Sequence, residues 1–343
     1  MLDFATIEHA EIAERSTPLM TPPPPLRIGI LGCARIVRRA IAGALAKSSL
    51  ARFEAIAGRD ASVAAAWAAE YGVPRHYGSY EALIADPNVD AVYIPLPNEL
   101  HRPWALRAAA AGKHVLCEKP LALDVADAEG IVHGCRAAGV VLMEAFMWRH
   151  HPRVTLARKM LAEGKLGTLR YVKMDFSFVI DQTDWRLDAA RGGGALYDLG
   201  CYGINISRLF TDAEPTDIHA RARYFAPGVD MSLGMQLHFP GDVIALLDAS
   251  FECPNRNRFE LIGTEGTLEF PGGVLPAEKS TLVYRNESGA ETISVPAADQ
   301  YAEMIDCFAR SVAAKKLEAP AEDGLANMRV LQAVRDVAGR AAK

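Results

Sequence analysis

Four short stretches hold residues whose types and spacing can do chemistry. The first is Gly32-Cys33-Ala34-Arg35-Ile36-Val37, between an apolar run and a helical pattern. It departs from the GxGxxG dinucleotide fingerprint, with Ala34 at the second glycine and Val37 at the third. Its strand-turn-helix setting carries the signal instead. Gly32 permits the tight turn, and the helix N-terminus behind it offers free amides and partial positive charge to a pyrophosphate. The second stretch is Gly58-Arg59-Asp60, at the end of the next strand. NAD-specific domains place an acid there to hold the ribose hydroxyls. Gly58 instead leaves room for a 2′-phosphate, and Arg59 is expected to pair with it. Arg35 and Arg39 are expected near the same phosphate, so the reading favours NADP. Asp60 is well placed as the cap of the following helix.

The third stretch is Cys117-Glu118-Lys119-Pro120, where a further strand ends. Ligands in open α/β sheets bind beyond the carboxyl ends of strands, so Lys119 projects to where nicotinamide and substrate meet. A lysine partly desolvated beside a nicotinamide cation is expected to have a depressed pKa and to shuttle a proton or polarise a carbonyl. The fourth is Gly192-Gly193-Gly194, followed by Asp198 and Tyr202. Positions i and i+4 share a helix face, so both side chains can meet one ligand that the glycines let approach closely.

The elements that must position these residues follow from periodicity. Strands are predicted at Leu26–Leu31, Arg52–Ala57, Val89–Ile94, Lys113–Cys117 and Gly139–Glu144. Between them lie helical patterns at Ile36–Ala46, Ser62–Tyr71, Ser79–Ile84, Glu99–Ala111 and Val125–Ala138. Alternating short apolar strands and helices predict a doubly wound, parallel, Rossmann-type α/β domain over residues 26–147. The alternation then stops. Helices are predicted at Arg153–Glu163 and Ala195–Phe210, with strands from Leu169 to Tyr284 and a hairpin turn at Thr264-Glu265-Gly266. This predicts an α+β domain over residues 148–320, with a large, mostly antiparallel open sheet. Helices are also predicted at Asp299–Ala313 and Ala321–Ala342, and residues 321–343 are expected to pack back near the first domain.

Two long stretches, Val92–His101 and Ala111–Leu121, resemble the Gfo/Idh/MocA family (glucose–fructose oxidoreductase, inositol dehydrogenase, rhizopine catabolism). Gly192–Tyr202 is similar to that family's second signature. The resemblance runs from Leu26 to the C-terminus. It implies that Lys119 is the catalytic lysine, that Glu118 and Pro120 shape its loop, and that Asp198 and Tyr202 complete the site. It implies that Pro95, Leu96, Asn98 and His101 meet the cofactor, and that Trp185-Arg186 closes over it. Glu144–Pro152 looks like the family's interdomain segment. Many members carry histidine where this chain has Tyr202. That places it with the tyrosine-bearing branch of aldose dehydrogenases, sugar 3-ketoreductases and dihydrodiol dehydrogenase. The implied reaction is hydride transfer between NADP(H) and a secondary alcohol or carbonyl on a sugar-like ring. Lys119 is expected to lower the pKa of Tyr202. The alternatives are a cofactor-retaining glycoside-cleaving enzyme and a non-catalytic NADP(H) sensor.

The bulk properties narrow the field. At 343 residues, with half of them hydrophobic, the chain suggests two domains and a large core. The net charge of -5 argues against a nucleic-acid partner. No apolar run is long enough for a bilayer, so no membrane partner is expected. Six cysteines show no CxxC pair, and no Cys/His cluster has zinc-ligand spacing; no metal is expected. They read as reduced thiols of a cytoplasmic protein. Residues 1–25 end in four prolines and read as a flexible tail rather than a secretory signal. The open sheet would expose a broad face, so a homodimer or homotetramer is expected.

Overall fold

The computed structural model describes residues 24–226, 228–277, 279–315 and 321–340. The expected tail up to residue 23, the boundary at 320 and the helix end at Ala342 lie outside the described residues.

The first sheet has six parallel strands: β1 (Leu26–Leu31), β2 (Ala51–Ala57), β3 (Arg75–Tyr77), β4 (Ala91–Ile94), β5 (His114–Cys117) and β6 (Leu142–Glu144). Their order is β3-β2-β1-β4-β5-β6. β4 is buried throughout and β5 nearly so, as strands with both faces covered must be. The covering helices are α1 (Ala42–Lys47), α2 (Ala61–Tyr71), α3 (Tyr80–Ile84), α4 (His101–Ala110) and α5 (Val125–Ala137). Side-chain caps fix where three of them begin. Asp60 accepts from the Ser62 amide at 2.8 Å, Ser79 from Ala82 at 3.2 Å and Asp124 from Asp127 at 2.8 Å. Each such cap is worth about 1 kcal/mol. The strand order reverses between β1 and β4, which opens a crevice at their carboxyl ends. One local difference from the sequence pattern stands at this crevice. The first helix begins as a wide π-type turn, Val37–Ile41, before it tightens into α1.

The chain crosses to the second domain through Phe146, Met147 and Trp148, all buried. Trp148 packs against Phe210 and Phe259 and belongs to the core. There follow α6 (Pro152–Ala162), β7 (Leu169–Ser177) and α7 (Cys201–Thr211). The remaining strands are β8 (Asp217–Ala226), β9 (Val229–Phe239), β10 (Val243–Ser250), β11 (Arg256–Gly263), β12 (Thr267–Phe270), β13 (Thr281–Asn286) and β14 (Gly289–Ser294). The eight strands run in the order β14-β13-β12-β11-β7-β10-β9-β8. Every pairing is antiparallel except β7 with β10. One face packs under α7, where a Cβ on Gly203 would stand 3.2 Å from Leu247 and 3.3 Å from Met174. The other face is open. Two helices end the fold: α8 (Gln300–Ala314), against α1 and β2, and α9 (Ala321–Arg340), against α5 and β8. No helix among the described residues is long and apolar enough to cross a membrane.

Candidate active site

Lys119 follows β5 at the crevice, and its loop is fixed from beneath. His101, in the first turn of α4, is fully buried. Its Nε2 lies 2.8 Å from the Leu96 carbonyl and its Nδ1 3.0 Å from the Pro120 carbonyl. It thereby joins the loop after β4 to the lysine loop. The sequence placed His101 at the cofactor; it lies behind the cleft wall instead, where burial lowers its pKa. Glu118 is held by Tyr93, whose hydroxyl donates to its Oε1 at 2.5 Å. Burial raises the Glu118 pKa.

The Lys119 Nζ donates to Asp198 twice, to Oδ1 at 2.9 Å and to the main-chain carbonyl at 2.7 Å. It also sits 4.8 Å above the Tyr202 ring. Asp198 lies in a second π-type turn, Leu196–Gly200, that leads into α7. The wide turn and the first turn of α7 deliver Asp198 and Tyr202 to the same lysine, as their spacing predicts. Asp198 is shared, since Arg186 Nε reaches its Oδ2 at 3.0 Å. Arg186 Nη1 lies 3.2 Å from Asp184 Oδ1, and Asp184 Oδ2 accepts from Arg35 at 2.5 Å. An alternating chain of charges therefore runs Arg35, Asp184, Arg186, Asp198, Lys119, from the dinucleotide turn to the lysine.

These contacts set the protonation states. Burial pulls the Lys119 pKa down, but Asp198, with Tyr202 and Cys201 adding to it, raises it above the usual lysine value. The depression expected beside a nicotinamide cation is opposed here by an anion already in place. For Asp198, burial pushes upward, while Lys119 and Arg186 hold it well below the usual carboxylate range. Burial raises Tyr202 far above an ordinary phenol, with Lys119 opposing. The lysine pulls in the expected direction and is outweighed. The Tyr202 hydroxyl rests 3.5 Å from Met147 Sδ, and Phe146 packs edge-on against its ring.

Residues 181–194 form a strap between β7 and the wide turn. Asp184 and Asp188 each cap a short turn, accepting from the amides of Arg186 (3.1 Å) and Ala190 (2.9 Å). The guanidinium groups of Arg186 and Arg191 lie 5.1 and 5.3 Å from the centre of the Trp185 ring. The triple glycine lets the strap close on itself. Gly194 adopts φ +118°, and a Cβ there would stand 2.2 Å from Asp230 Oδ1. The Leu196 amide donates to Asp230 at 2.7 Å, and burial raises the Asp230 pKa to about 6. Asn98 anchors the strap by donating to the Gly192 carbonyl at 2.9 Å.

All of this surrounds one cleft of ≈ 970 Å³. Gly32, Cys33, Ala34, Arg35, Ile36, Arg39, Gly58, Arg59, Pro95, Leu96, Asn98, Glu118, Lys119, Trp185, Arg186, Asp198 and Tyr202 line it. Every site residue expected from sequence is there except His101. The walls suit a dinucleotide. Gly32 takes φ +111° with Leu96 so near that a Cβ would stand 2.9 Å away. At Gly58 a Cβ would come within 3.1 Å of the Asp60 carbonyl. Arg59 is exposed along the wall, while Asp60 caps α2. Arg35 is committed to Asp184, and Arg39 bonds Tyr301. Sequence reasoning missed Asp184, Tyr301, Phe176, Phe178, Asn255 and Leu275, which also line the cleft. Asp184 alone had a signal, as an acid directly before Trp185-Arg186.

Comparison with known proteins agrees with this geometry. Residues 26–146 match the model of the oxidoreductase family with an NAD-binding Rossmann fold, and residues 154–269 match the GFO/IDH/MocA C-terminal domain. The chain belongs to the Gfo/Idh/MocA family. It is 36% identical to the D-xylose 1-dehydrogenase (NADP(+)) 2 of Haloferax volcanii, over 90% of this chain and 96% of that one. Among solved structures it is similar to a 3-ketoreductase from Actinomadura kijaniata in complex with NADP and TDP-benzene. There the TM-score is 0.85 and the identity 35%, over 91% of this chain and 97% of that one. An aldose-aldose oxidoreductase from Caulobacter crescentus complexed with glycerol superposes with TM-score 0.86 at 29% identity, over 92% and 98% of the chains.

Proposed function

We propose that this chain is an NADP(H)-dependent oxidoreductase that moves a hydride between nicotinamide and a secondary alcohol or carbonyl on a sugar-like ring. The observation that carries the reading is Lys119 Nζ, bonded to Asp198 at 2.9 Å and seated on the Tyr202 ring at the head of a dinucleotide-shaped cleft. Gly32 to Ile36 would hold the pyrophosphate, and Gly58 and Arg59 the 2′-phosphate. A nicotinamide held there would supply the hydride chemistry at the substrate carbon that Lys119 and Tyr202 face. Tyr202, kept protonated by burial, donates its proton to the developing alkoxide. Lys119, kept protonated by Asp198, stabilises that charge, a contribution of about 10²–10³ in rate for one well-placed donor. Asp198 holds the lysine in position, and Arg186 holds Asp198. Both donors stand in their resting protonation states for reduction of a carbonyl.

The test is kcat/KM with NADP(H) and NAD(H) across pyranoses, inositols, dihydrodiols and keto-sugar nucleotides. NADP(H) should be preferred by about ten- to a hundredfold, the worth of charged hydrogen bonds to one phosphate. Gly58→Asp with Arg59→Ala should erase the preference. No turnover on any of these classes, or a native preference for NAD(H), would overturn the reading.

The partners that fit are a sugar-like small molecule and a second copy of the chain. The open sheet face holds a hollow of ≈ 790 Å³ with Leu246 exposed on it. Its Lys173, Asp175, Arg258 and Glu260 give it mixed charge, which suits self-association. Sedimentation velocity would show a dimer or larger. Among the described residues no cysteine is joined in a disulfide, which fits the reducing cytoplasm.

A further inference from the structure

The β8–β9 hairpin register pairs Asp217 with His238 and His219 with Gln236. Residues two apart on a strand share a face, as do direct cross-strand partners. All four side chains therefore stand together on the open face, opposite the buried Leu237 and Met235. His219 Nε2 lies 2.8 Å from Asp217 Oδ2. The ligand atoms of Asp217, His219 and His238 all lie within 4.8 Å of one another. The Gln236 amide nitrogen is 2.6 Å from His238 Nε2. Turning that amide over puts its oxygen there as a fourth donor.

We propose that Asp217, His219 and His238 bind a divalent transition-metal ion of the zinc type. Two imidazole nitrogens and one carboxylate oxygen form a donor set that such an ion takes, with a fourth position for water or the Gln236 oxygen. Metal–ligand distances of about 2.0–2.2 Å put tetrahedral ligand atoms roughly 3.3–3.6 Å apart. The Asp217–His219 pair is already within that span, and His238 reaches it by side-chain rotation. All three side chains are exposed or half-exposed in the single chain, at the β8 margin of the open face. β8 is an end strand of the sheet and pairs on one side alone. The ion would clip it to β9. The role is structural, because α7, which carries Tyr202, packs on the other face.

The experiment uses the full chain stripped with a chelator and dialysed. Zinc is titrated calorimetrically, and cobalt(II) is added separately for its visible spectrum. One zinc ion per chain should bind, the melting temperature should rise with zinc, and cobalt should show the intense bands of a tetrahedral site. His219→Ala and His238→Ala should each weaken zinc by at least about tenfold and remove those bands, with turnover unchanged. Absence of stoichiometric binding would overturn the proposal. So would undiminished binding in both variants, which would place the ion elsewhere.

Discussion

Lys119 and Asp198 form a pair largely withdrawn from water, with side-chain exposures of 11% and 16%. Removing one member of a buried pair usually destabilises, because the other charge is stranded. Asp198 keeps Arg186 at 3.0 Å, so Lys119→Met should fold. Its turnover should fall by about 10²–10⁴, with NADPH affinity, read by fluorescence, nearly unchanged. More than half of native turnover would refute the assignment. Tyr202→Phe removes only the hydroxyl, which lies 3.5 Å from Met147 Sδ. It should lower the rate strongly with the melting temperature held. If the two residues act on one proton path, the double variant should be little worse than either single one, and fully multiplicative losses would separate them. At this scale spacing was informative for Lys119, Asp198 and Tyr202, which the fold brings together. The resemblance put His101 at the cofactor, but a motif does not reveal which way a ring in the first turn of α4 points, and this one is buried between two loops.

The strap between β7 and α7 is held to the first domain by Arg35–Asp184, an ion pair whose arginine is mostly exposed and whose aspartate is not. Asp184→Asn should loosen the strap and speed NADPH release by up to about fivefold, the worth of one partly screened pair. Stopped-flow displacement measures this, and an unchanged release rate would mean that the strap closes without Asp184. Elements with strong periodicity were legible, since β1 has the bounds Leu26–Leu31 that its apolar run predicts. β3 has three residues and no buried one, and β14 is exposed almost throughout, so neither offered an apolar pattern. The Asp217–His219–His238 cluster was hidden for a different reason. Its spacing is set by hairpin register, which a scan for linear ligand motifs cannot see.

Across the whole molecule, pH reports on a buried acid at the domain junction. Glu144 ends β6 with both carboxylate oxygens buried. Burial, reinforced by Asp323, pushes its pKa to about 8. The folded state therefore holds a proton that the unfolded chain releases near its ordinary value of 4.5. Between those two values this group's contribution to stability falls as pH rises. Glu144→Gln should leave the melting temperature little changed at pH 5 and raise it relative to native by pH 8. A constant difference across that range would show that Glu144 does not titrate there. The parallel seam between β7 and β10 bears on how the protein reaches its working form. Residues 178–242, including the strap, α7 and the β8–β9 hairpin, all leave and return between those two neighbouring strands. The seam cannot close until that excursion has been drawn in, and closing a long loop costs entropy before any contact repays it. On dilution from denaturant, helical circular dichroism should recover first and NADPH binding in a slower phase, because the last region to assemble is the one that carries Asp198 and Tyr202.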